Sequence, residues 1–423
     1  MSNWKYLGVV VGALGLLGAS GAFAAKKPAK EEPAAAAATD PNDPCAPRKI
    51  TKKVDKPMAA AEKAFNAKLW DEVLTSVAEA EAVEVEKSLW DQYWIHEFRG
   101  RAYLNQEKYA ESAKELEIGL SSPCMDAADK PARTKMLLQI AYRLKEYPKV
   151  IELGNKYLAT NPDPEIGTFV GNAYYAVDDF PNTRKVMTEV VAKQEAGSKP
   201  PDELTYRILQ GACIKLKDNA CITEQLEKLV IHYPKQQYWQ DLMGLLMAQT
   251  KNNNQLLNLW RLADGSNVMQ EAAEYLEMAQ LAIGQGLPGE AQAVLEKGSQ
   301  KGVFTTANQK QQLNQLLAEA KQAVALDKST LDKQDVAARA KPTGDNDVKL
   351  GAAYLSYGEL PKAVEALQRG ITKGGVKNTD DAGLLLGIAH LRAGNKAEAA
   401  KAFGTVNKDA TMARIAKLWL LNT

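Results

Sequence analysis

Small, apolar and aromatic positions recur along this chain in one short pattern. Glycine, a variable residue, alanine and an aromatic side chain follow one another at 100–103, 171–174, 351–354 and 387–390. The gaps between the first residues are 71, 180 and 36 residues, each close to a multiple of 36. A fixed period of this size predicts stacked helical hairpins, and such stacks usually bind other molecules rather than transform them.

The residues around these glycines resemble the tetratricopeptide repeat (TPR), whose first helix carries Leu-Gly-x-x-Tyr. The clearest copies contain Gly171 with Tyr174, Gly351 with Tyr354, and Gly387. In the family, glycine at the eighth place and a small residue at the twentieth let the two helices of a hairpin approach closely. The resemblance implies an all-α fold, a right-handed superhelical solenoid of TPR-like helical hairpins.

Weaker copies fill the space between the clear ones and suggest a division of the chain. Residues 57–305 form the N-terminal part of the array, 306–342 an irregular helical connector, and 343–423 a C-terminal TPR pair with a capping helix at Ala410–Leu421. The connector is helical in its apolar period but lacks the small residues of the repeat.

The N-terminus predicts export. Lys5, the apolar run from Leu7 to Leu17 and Ala22-Phe23-Ala24 indicate a signal peptide over residues 1–24. An uncleaved membrane anchor is the alternative, although Gly8, Gly12 and Gly15 interrupt the run, Gly18 follows it, and it is shorter than a membrane span. Residues 25–56 are rich in Ala, Pro and Lys and predict a disordered tether.

An even number of cysteines in an exported chain permits disulfides. Cys213 is expected to end one helix and Cys221 to begin the next, so a hairpin could bring them together; Cys45 would then pair with Cys124. The alternative is two buried thiols and two exposed ones.

Composition argues against catalysis and nucleic-acid binding. The net charge is +1 and no basic block stands out. The chain has three histidines, far apart, and His96-Glu97 lacks the second histidine of a zinc-binding helix. No phosphate-binding loop or nucleophile motif occurs. We therefore expect no enzyme activity, no metal, no cofactor, no nucleic acid and no small-molecule substrate.

Trp90, Tyr93, Trp94 and Phe98 form the densest aromatic group. Their spacing of i, i+3, i+4 and i+8 favours one buried helix stripe, with an exposed partner-binding surface as the alternative.

The TPR resemblance also implies where a partner would lie. Family members bind peptides in a concave groove, and the matching positions here are Arg101, Leu104, Asn105, Asn172, Tyr175, Ile388, Leu391 and Arg392. The full Lys, Asn and Arg set that binds a C-terminal carboxylate in the family is missing.

Signal, tether, divergent array and apolar last helix together resemble the periplasmic TPR proteins that accompany TonB-ExbB-ExbD systems. This implies a non-catalytic periplasmic scaffold that binds protein partners, among them envelope or TonB-system components, and meets the membrane only by proximity. The alternative is an envelope assembly or structural factor that acts through its outer face or through the C-terminal capping helix.

Overall fold

The computed structural model describes residues 43–422, which contain 21 α-helices, one short 3-10 helix and no strand. The predicted signal peptide, the first part of the predicted tether and Thr423 lie outside the described residues. The chain divides into two compact units, which meet in sequence between Leu144 and Lys145.

The first unit contains five helices: α1 (Asp55–Asn66), α2 (Trp70–Ala82), α3 (Leu89–Asn105), α4 (Tyr109–Ser121) and α5 (Lys130–Arg143). Each of these helices packs against the next one along the chain.

The second unit begins with nine helices paired in the same way: α6 (Tyr147–Leu158), α7 (Pro164–Ala176), α8 (Phe180–Glu195), α9 (Glu203–Lys215), α10 (Asn219–His232), α11 (Gln236–Gln249), α12 (Asn253–Gly265), α13 (Ala272–Gly284) and α14 (Pro288–Gln300). It continues with α15 (Ala307–Lys328), α16 (Leu331–Ala340), α17 (Asp345–Ser356), α18 (Leu360–Lys373), α19 (Thr379–Arg392), α20 (Lys396–Gly404) and α21 (Ala410–Trp419). The prediction of an all-α array of helical hairpins is therefore confirmed.

The tight turn within a hairpin depends on one residue in the left-handed region. Gly358 and Gly394 have φ of 73° and 82° at the turns of the last two hairpins. Asp178 has a φ of 60° at the equivalent turn after α7. Glycine adopts this conformation without steric cost, and a short polar side chain tolerates it.

The repeat glycines set the distance between the two helices of each clear hairpin. A Cβ placed on Gly100 would lie 2.7 Å from Leu116, and one on Gly351 would lie 2.5 Å from Leu367. In both hairpins the contacted residue follows the glycine by 16 positions. Alanine at these glycines would collide with the facing helix, which explains the pattern that the sequence shows.

The N-terminal boundary differs from the sequence-based division. The sequence predicts a tether over residues 25–56, but α1 begins at Asp55 and Val54 is fully buried. The Asp91 carboxylate accepts hydrogen bonds from the backbone N–H and the hydroxyl of Thr51, at 2.9 and 2.5 Å. Residues 43–54 are therefore part of the folded first unit, because their polar groups and Cys45 have partners within it.

The predicted connector consists of two regular helices, α15 and α16. Helix α15 packs against α13 and α14, and α16 packs against α17. Few side chains of this pair are buried: Leu313 and Ala320 on α15, and Leu331 and Ala338 on α16. The segment belongs to the second unit rather than separating two parts of the array.

The last helix closes the second unit on itself. Helix α21 packs against α19 and α20, and also against α12, which lies far earlier in the chain. Arg414 pairs with Glu227 of α10 at 2.5 Å, and Asp409 accepts a hydrogen bond from Gln255 of α12 at 2.9 Å. The apolar side of α21 is buried in this closure: Met412, Ile415, Ala416, Leu418 and Trp419.

Within residues 43–422, no helix combines the length with the apolar character that crossing a membrane requires.

Candidate functional site

On α3, the predicted groove residue Arg101 makes contacts within its own unit. Its guanidinium lies 3.2 Å from the buried Glu97 carboxylate, which also pairs with Arg133 of α5. The guanidinium also lies over the Phe65 ring, 5.9 Å from the centroid. Arg101 is thus largely engaged within the first unit. Asn105 is exposed, and Leu104 is half-buried.

On α7, the predicted groove residue Tyr175 packs between helices. Its ring lies close to Gly211 of α9 and meets Phe180 edge-on at 5.4 Å. Burial, together with the nearby Asp178 carboxylate, raises the pKa of Tyr175. Asn172 lies one turn earlier on the same helix and is half-buried.

On α19, the structure corrects one predicted groove residue. Ile388 is only 1% exposed, so it cannot contact a partner. The reason is that α17, α18, α20 and α21 all pack against α19 and leave it little free surface. Leu391 is half-buried against the same core, and Arg392 is exposed.

The second unit contains a cavity of about 660 Å³, here called the large cavity. Residues of helices α12, α15, α16, α17 and α19 and of the turn between α13 and α14 line it, and it is open to solvent on one side. Its polar lining consists of Asn254, Arg261, Gln285, Asp327, Gln334, Asn346, Lys349 and Asp381. Its apolar lining includes Leu287, Val348, Leu350 and Leu385.

A buried chain of hydrogen bonds supports one wall of the large cavity. Asn258 donates to Asp381 of α19 at 2.9 Å and accepts from Arg261 at 2.7 Å. Arg261 in turn makes two parallel hydrogen bonds to Glu290 of α14, at 2.8 and 2.7 Å. The chain joins three helices, α12, α14 and α19, and so fixes the position of the guanidinium at the cavity wall.

The charges of Arg261 and Glu290 depend on each other. Burial alone would raise the pKa of Glu290, but the adjacent guanidinium outweighs it and holds that pKa below the usual range. Burial alone would lower the pKa of Arg261, and the Glu290 carboxylate raises it instead. Both groups are therefore charged at neutral pH, and together they contribute no net charge to the cavity wall.

The aromatic group on α3 is part core and part cavity wall. Tyr93 is buried, while Trp90, Trp94 and Phe98 are half-buried. Trp94 and Phe98 lie 5.4 Å apart and line a smaller cavity of about 220 Å³, here called the aromatic cavity. The remaining lining residues are Ile50, Asp55, Met58, Ala59 and Glu62.

The three histidines are separate and have structural contacts. His96 lies 2.6 Å from the Glu115 carboxylate, His232 stacks on Tyr206, and His390 is 6% exposed. Within the described part of the chain, no group of His, Cys, Asp and Glu side chains has the arrangement of a metal site.

Both cysteine pairs lie at disulfide distance. The sulfur atoms of Cys45 and Cys124 are 1.96 Å apart, and those of Cys213 and Cys221 are 1.95 Å apart. The first pair links the segment before α1 to the loop after α4. The second pair links the end of α9 to the start of α10.

The sequence pattern gave no signal for either cavity. The large cavity depends on contacts between residues more than 100 positions apart, such as Asn258 with Asp381. The aromatic cavity needs Ile50, which lies in the segment that composition assigned to the tether.

No protein-family model matches the chain, and no curated protein matches it. Several solved structures are similar, among them a tetratricopeptide repeat protein from Parabacteroides merdae, with 11% identity over 77% of this chain and 98% of that chain and a TM-score of 0.30. The C-terminal part of a TPR repeat-containing protein from Cytophaga hutchinsonii has 13% identity over 77% and 97% of the two chains and a TM-score of 0.31. The TPR domain of P58(IPK) has 10% identity over 87% and 98% and a TM-score of 0.23. These structural neighbours are TPR proteins, and at such scores they assign no partner or role to this chain.

Proposed function

We propose that the protein is a non-catalytic scaffold and that its large cavity holds an extended segment of a partner protein. The observation that carries this proposal is the lining of the cavity. Four primary amides, from Asn254, Gln285, Gln334 and Asn346, line the cavity together with apolar side chains. A primary amide can both donate and accept hydrogen bonds, which matches the alternating donors and acceptors of a peptide backbone. The apolar positions would take the side chains of the same segment.

The charges of the cavity support binding rather than catalysis. Arg261 and Glu290 neutralise each other through two hydrogen bonds. Asp327 accepts a hydrogen bond from the Tyr357 hydroxyl at 2.5 Å. No serine, cysteine or histidine lies among the described lining residues, so the lining offers no nucleophile with an adjacent base.

A substitution that fills the cavity tests the proposal. Ala337 of α16 lines the cavity and is exposed, so Ala337→Trp places an indole in the cavity without displacing a packed side chain. Ala340→Trp is the matched control, because Ala340 is exposed on the same helix and does not line the cavity. Partners are captured from crosslinked cells and identified by mass spectrometry.

We expect Ala337→Trp to reduce the capture of specific partners at least tenfold, with the thermal unfolding midpoint unchanged. Ala340→Trp should capture them like the unaltered protein. Equal capture by the two variants would show that the partner does not enter the large cavity.

The alternative role, an assembly factor that acts through its outer face or last helix, makes the opposite prediction for Ala337→Trp. The structure weakens the part of that hypothesis that uses the last helix, because the apolar side of α21 packs against α12, α19 and α20. Deleting α21 would uncover this core, so loss of capture after the deletion would reflect unfolding.

We also propose that the protein is exported to the periplasm, with both cysteine pairs oxidised. The support is the signal-like N-terminus and the disulfide distance of both pairs. Thiol counting on protein purified from the periplasm should find no free thiol before reduction and four after it. A role beside TonB-dependent transport rests on the resemblance in organisation. Recovery of TonB-system components in the capture experiment, lost with Ala337→Trp, would support that role.

A further inference from the structure

The aromatic cavity in the first unit has the chemistry of a site for a positively charged side chain. It lies between α1, α3 and the segment before α1, far from the large cavity in sequence. At about 220 Å³ it is smaller than the pockets of about 300–1,000 Å³ that hold drug-sized ligands. Its size therefore points to a single side chain rather than a whole small molecule.

The walls of the cavity separate into an apolar part and a charged part. Ile50, Met58 and Ala59 supply apolar surface, and Trp94 and Phe98 supply aromatic surface. Asp55 and Glu62 lie two helical turns apart on α1 and both line the cavity. Lysine and arginine have the matching form, an apolar stem that ends in a cation.

Asp55 and Glu62 have no cation of their own. Both carboxylates are exposed, and neither takes part in an ion pair or side-chain hydrogen bond within residues 43–422. Other carboxylates of the first unit do have partners: Asp91 with Thr51, Glu97 with Arg133, and Glu115 with His96. The two lining carboxylates are therefore available to pair with a cation that enters the cavity.

The aromatic rings of the first unit also differ in whether a cation lies over them. Arg48 lies over the Trp90 ring, 5.3 Å from its centroid, and Arg101 lies over Phe65 at 5.9 Å. In the described part of the chain, no Lys or Arg covers Trp94 or Phe98, the two rings of the group that line the cavity. A cation within about 6 Å of such a ring is attracted to its face.

The cavity wall before α1 is held in place. Thr51, the neighbour of Ile50, is hydrogen-bonded to Asp91 of α3 through both its N–H and its hydroxyl. Arg48 pairs with Asp43 at 2.6 Å and with Asp126 at 2.7 Å. Cys45 lies at disulfide distance from Cys124. The site therefore exists before any ligand binds, which lowers the cost of ordering on binding.

We infer that the aromatic cavity receives one lysine or arginine side chain from a partner polypeptide. The stem lies against Met58 and Ile50, the cation faces Trp94 or Phe98, and Asp55 and Glu62 compensate its charge. This site is independent of the large cavity, so its test does not depend on the function proposed above.

The test uses the full chain and three probes, the Nα-acetyl methylamides of lysine, arginine and norleucine. Norleucine has the apolar stem of lysine without the charge. Binding is followed by the NMR signal of the Trp94 indole N–H, assigned with Trp94→Phe. We expect saturable shifts with the lysine or arginine probe, weakened by added salt, and no saturable shift with norleucine.

Two comparisons between variants distinguish binding in the aromatic cavity from attraction by the net charge and from the effects of a bulky substitution elsewhere on α1. Asp55→Asn with Glu62→Gln should weaken binding about three- to tenfold, because each exposed ion pair contributes a modest factor. Glu79→Gln with Glu86→Gln makes the same change in net charge at exposed positions outside the cavity and should leave binding unchanged. Ala59→Trp should block the cavity, whereas Ala60→Trp, exposed on the same helix, should not.

Three results would overturn the inference. Equal binding of norleucine would show an apolar site without charge recognition. Equal effects of the two charge-removing pairs would show attraction by net charge alone. Binding that is seen only after Lys26, Lys27 and Lys30 are replaced by glutamine would show that a segment of this chain, and not a partner, occupies the cavity.

Discussion

Gly387 of α19 faces the ring of Phe403 in α20 across the last hairpin, and this contact makes a quantitative prediction. A Cβ on Gly387 would lie 2.9 Å from Cγ of Phe403 and closer still to two other ring carbons. The ring cannot easily move away, because Phe403 is 2% exposed and stacks on Trp419 with centroids 6.1 Å apart. Gly387→Ala therefore forces extra volume into a filled space.

Two opposing effects determine the size of the change. Replacing glycine by alanine inside a helix stabilises it by about 1 kcal/mol. Extra volume in a packed core costs about 1–3 kcal/mol. We therefore expect Gly387→Ala to lower the free energy of unfolding by up to about 2 kcal/mol.

Gly244 of α11 provides the matched control. It is exposed, it lies inside a helix, and a Cβ at this position would have no neighbour within 4 Å. Gly244→Ala should therefore gain only the higher helix propensity of alanine, which stabilises the protein by about 1 kcal/mol. The difference between the two variants isolates the packing cost, because the chemical change is the same.

Urea unfolding followed by far-ultraviolet circular dichroism measures both variants. A change of 1–2 kcal/mol moves the midpoint of a transition by about 0.5–1 M for typical urea slopes. The midpoints should move in opposite directions, down for Gly387→Ala and up for Gly244→Ala. A rise of equal size in both variants would refute the tight contact between the glycine and the residue 16 positions later.

Two further predictions concern charges in the second unit. Glu290→Gln should destabilise the protein by about 3–5 kcal/mol in urea unfolding, because it leaves the buried Arg261 guanidinium without a counter-charge; a loss below about 1 kcal/mol would show that water reaches the pair. Burial alone would raise the pKa of Asp335, but hydrogen bonds from Arg339 and Arg369 outweigh it and hold that pKa below the usual range. The contribution of Asp335 is therefore complete at pH 7 and is lost as the pH falls through its lowered pKa. Asp335→Asn should speed amide hydrogen exchange in α16 about fivefold at pH 7, while Glu319→Gln, at an exposed position of α15, should leave it unchanged; equal rates in the two variants would contradict this assignment.

The hairpins could be predicted from the sequence because their decisive contacts are local. Gly351 and Leu367 are separated by 16 residues, so one repeat contains both sides of the contact. The turn at Gly358 is also encoded within four residues, because a positive φ favours glycine there. Such features repeat with the period and are visible in it.

The binding surfaces could not be predicted in the same way. Ile388 has the position of a groove residue within its repeat, but four neighbouring helices cover α19. The wall of the large cavity joins Asn258 to Asp381, 123 positions apart, where α21 packs against both α12 and α19. Composition also placed the end of the tether too late, because one buried Val54 and the partners of Thr51 are enough to order residues 43–54.

The packing of α21 against α12 has a consequence for synthesis on the ribosome. Gln255 and Asp409 are hydrogen-bonded although 154 positions separate them in the sequence. Helix α12 therefore cannot pack against α21 until the ribosome has synthesised that length of chain. At about 5–20 residues per second, the delay is roughly 8–30 s. During that time an apolar side of α12 stays uncovered, and a chain that stops before Ala410 never covers it. Truncated products of this protein should therefore be prone to aggregate, unlike those of open repeat arrays, in which each unit is complete once its neighbour has formed.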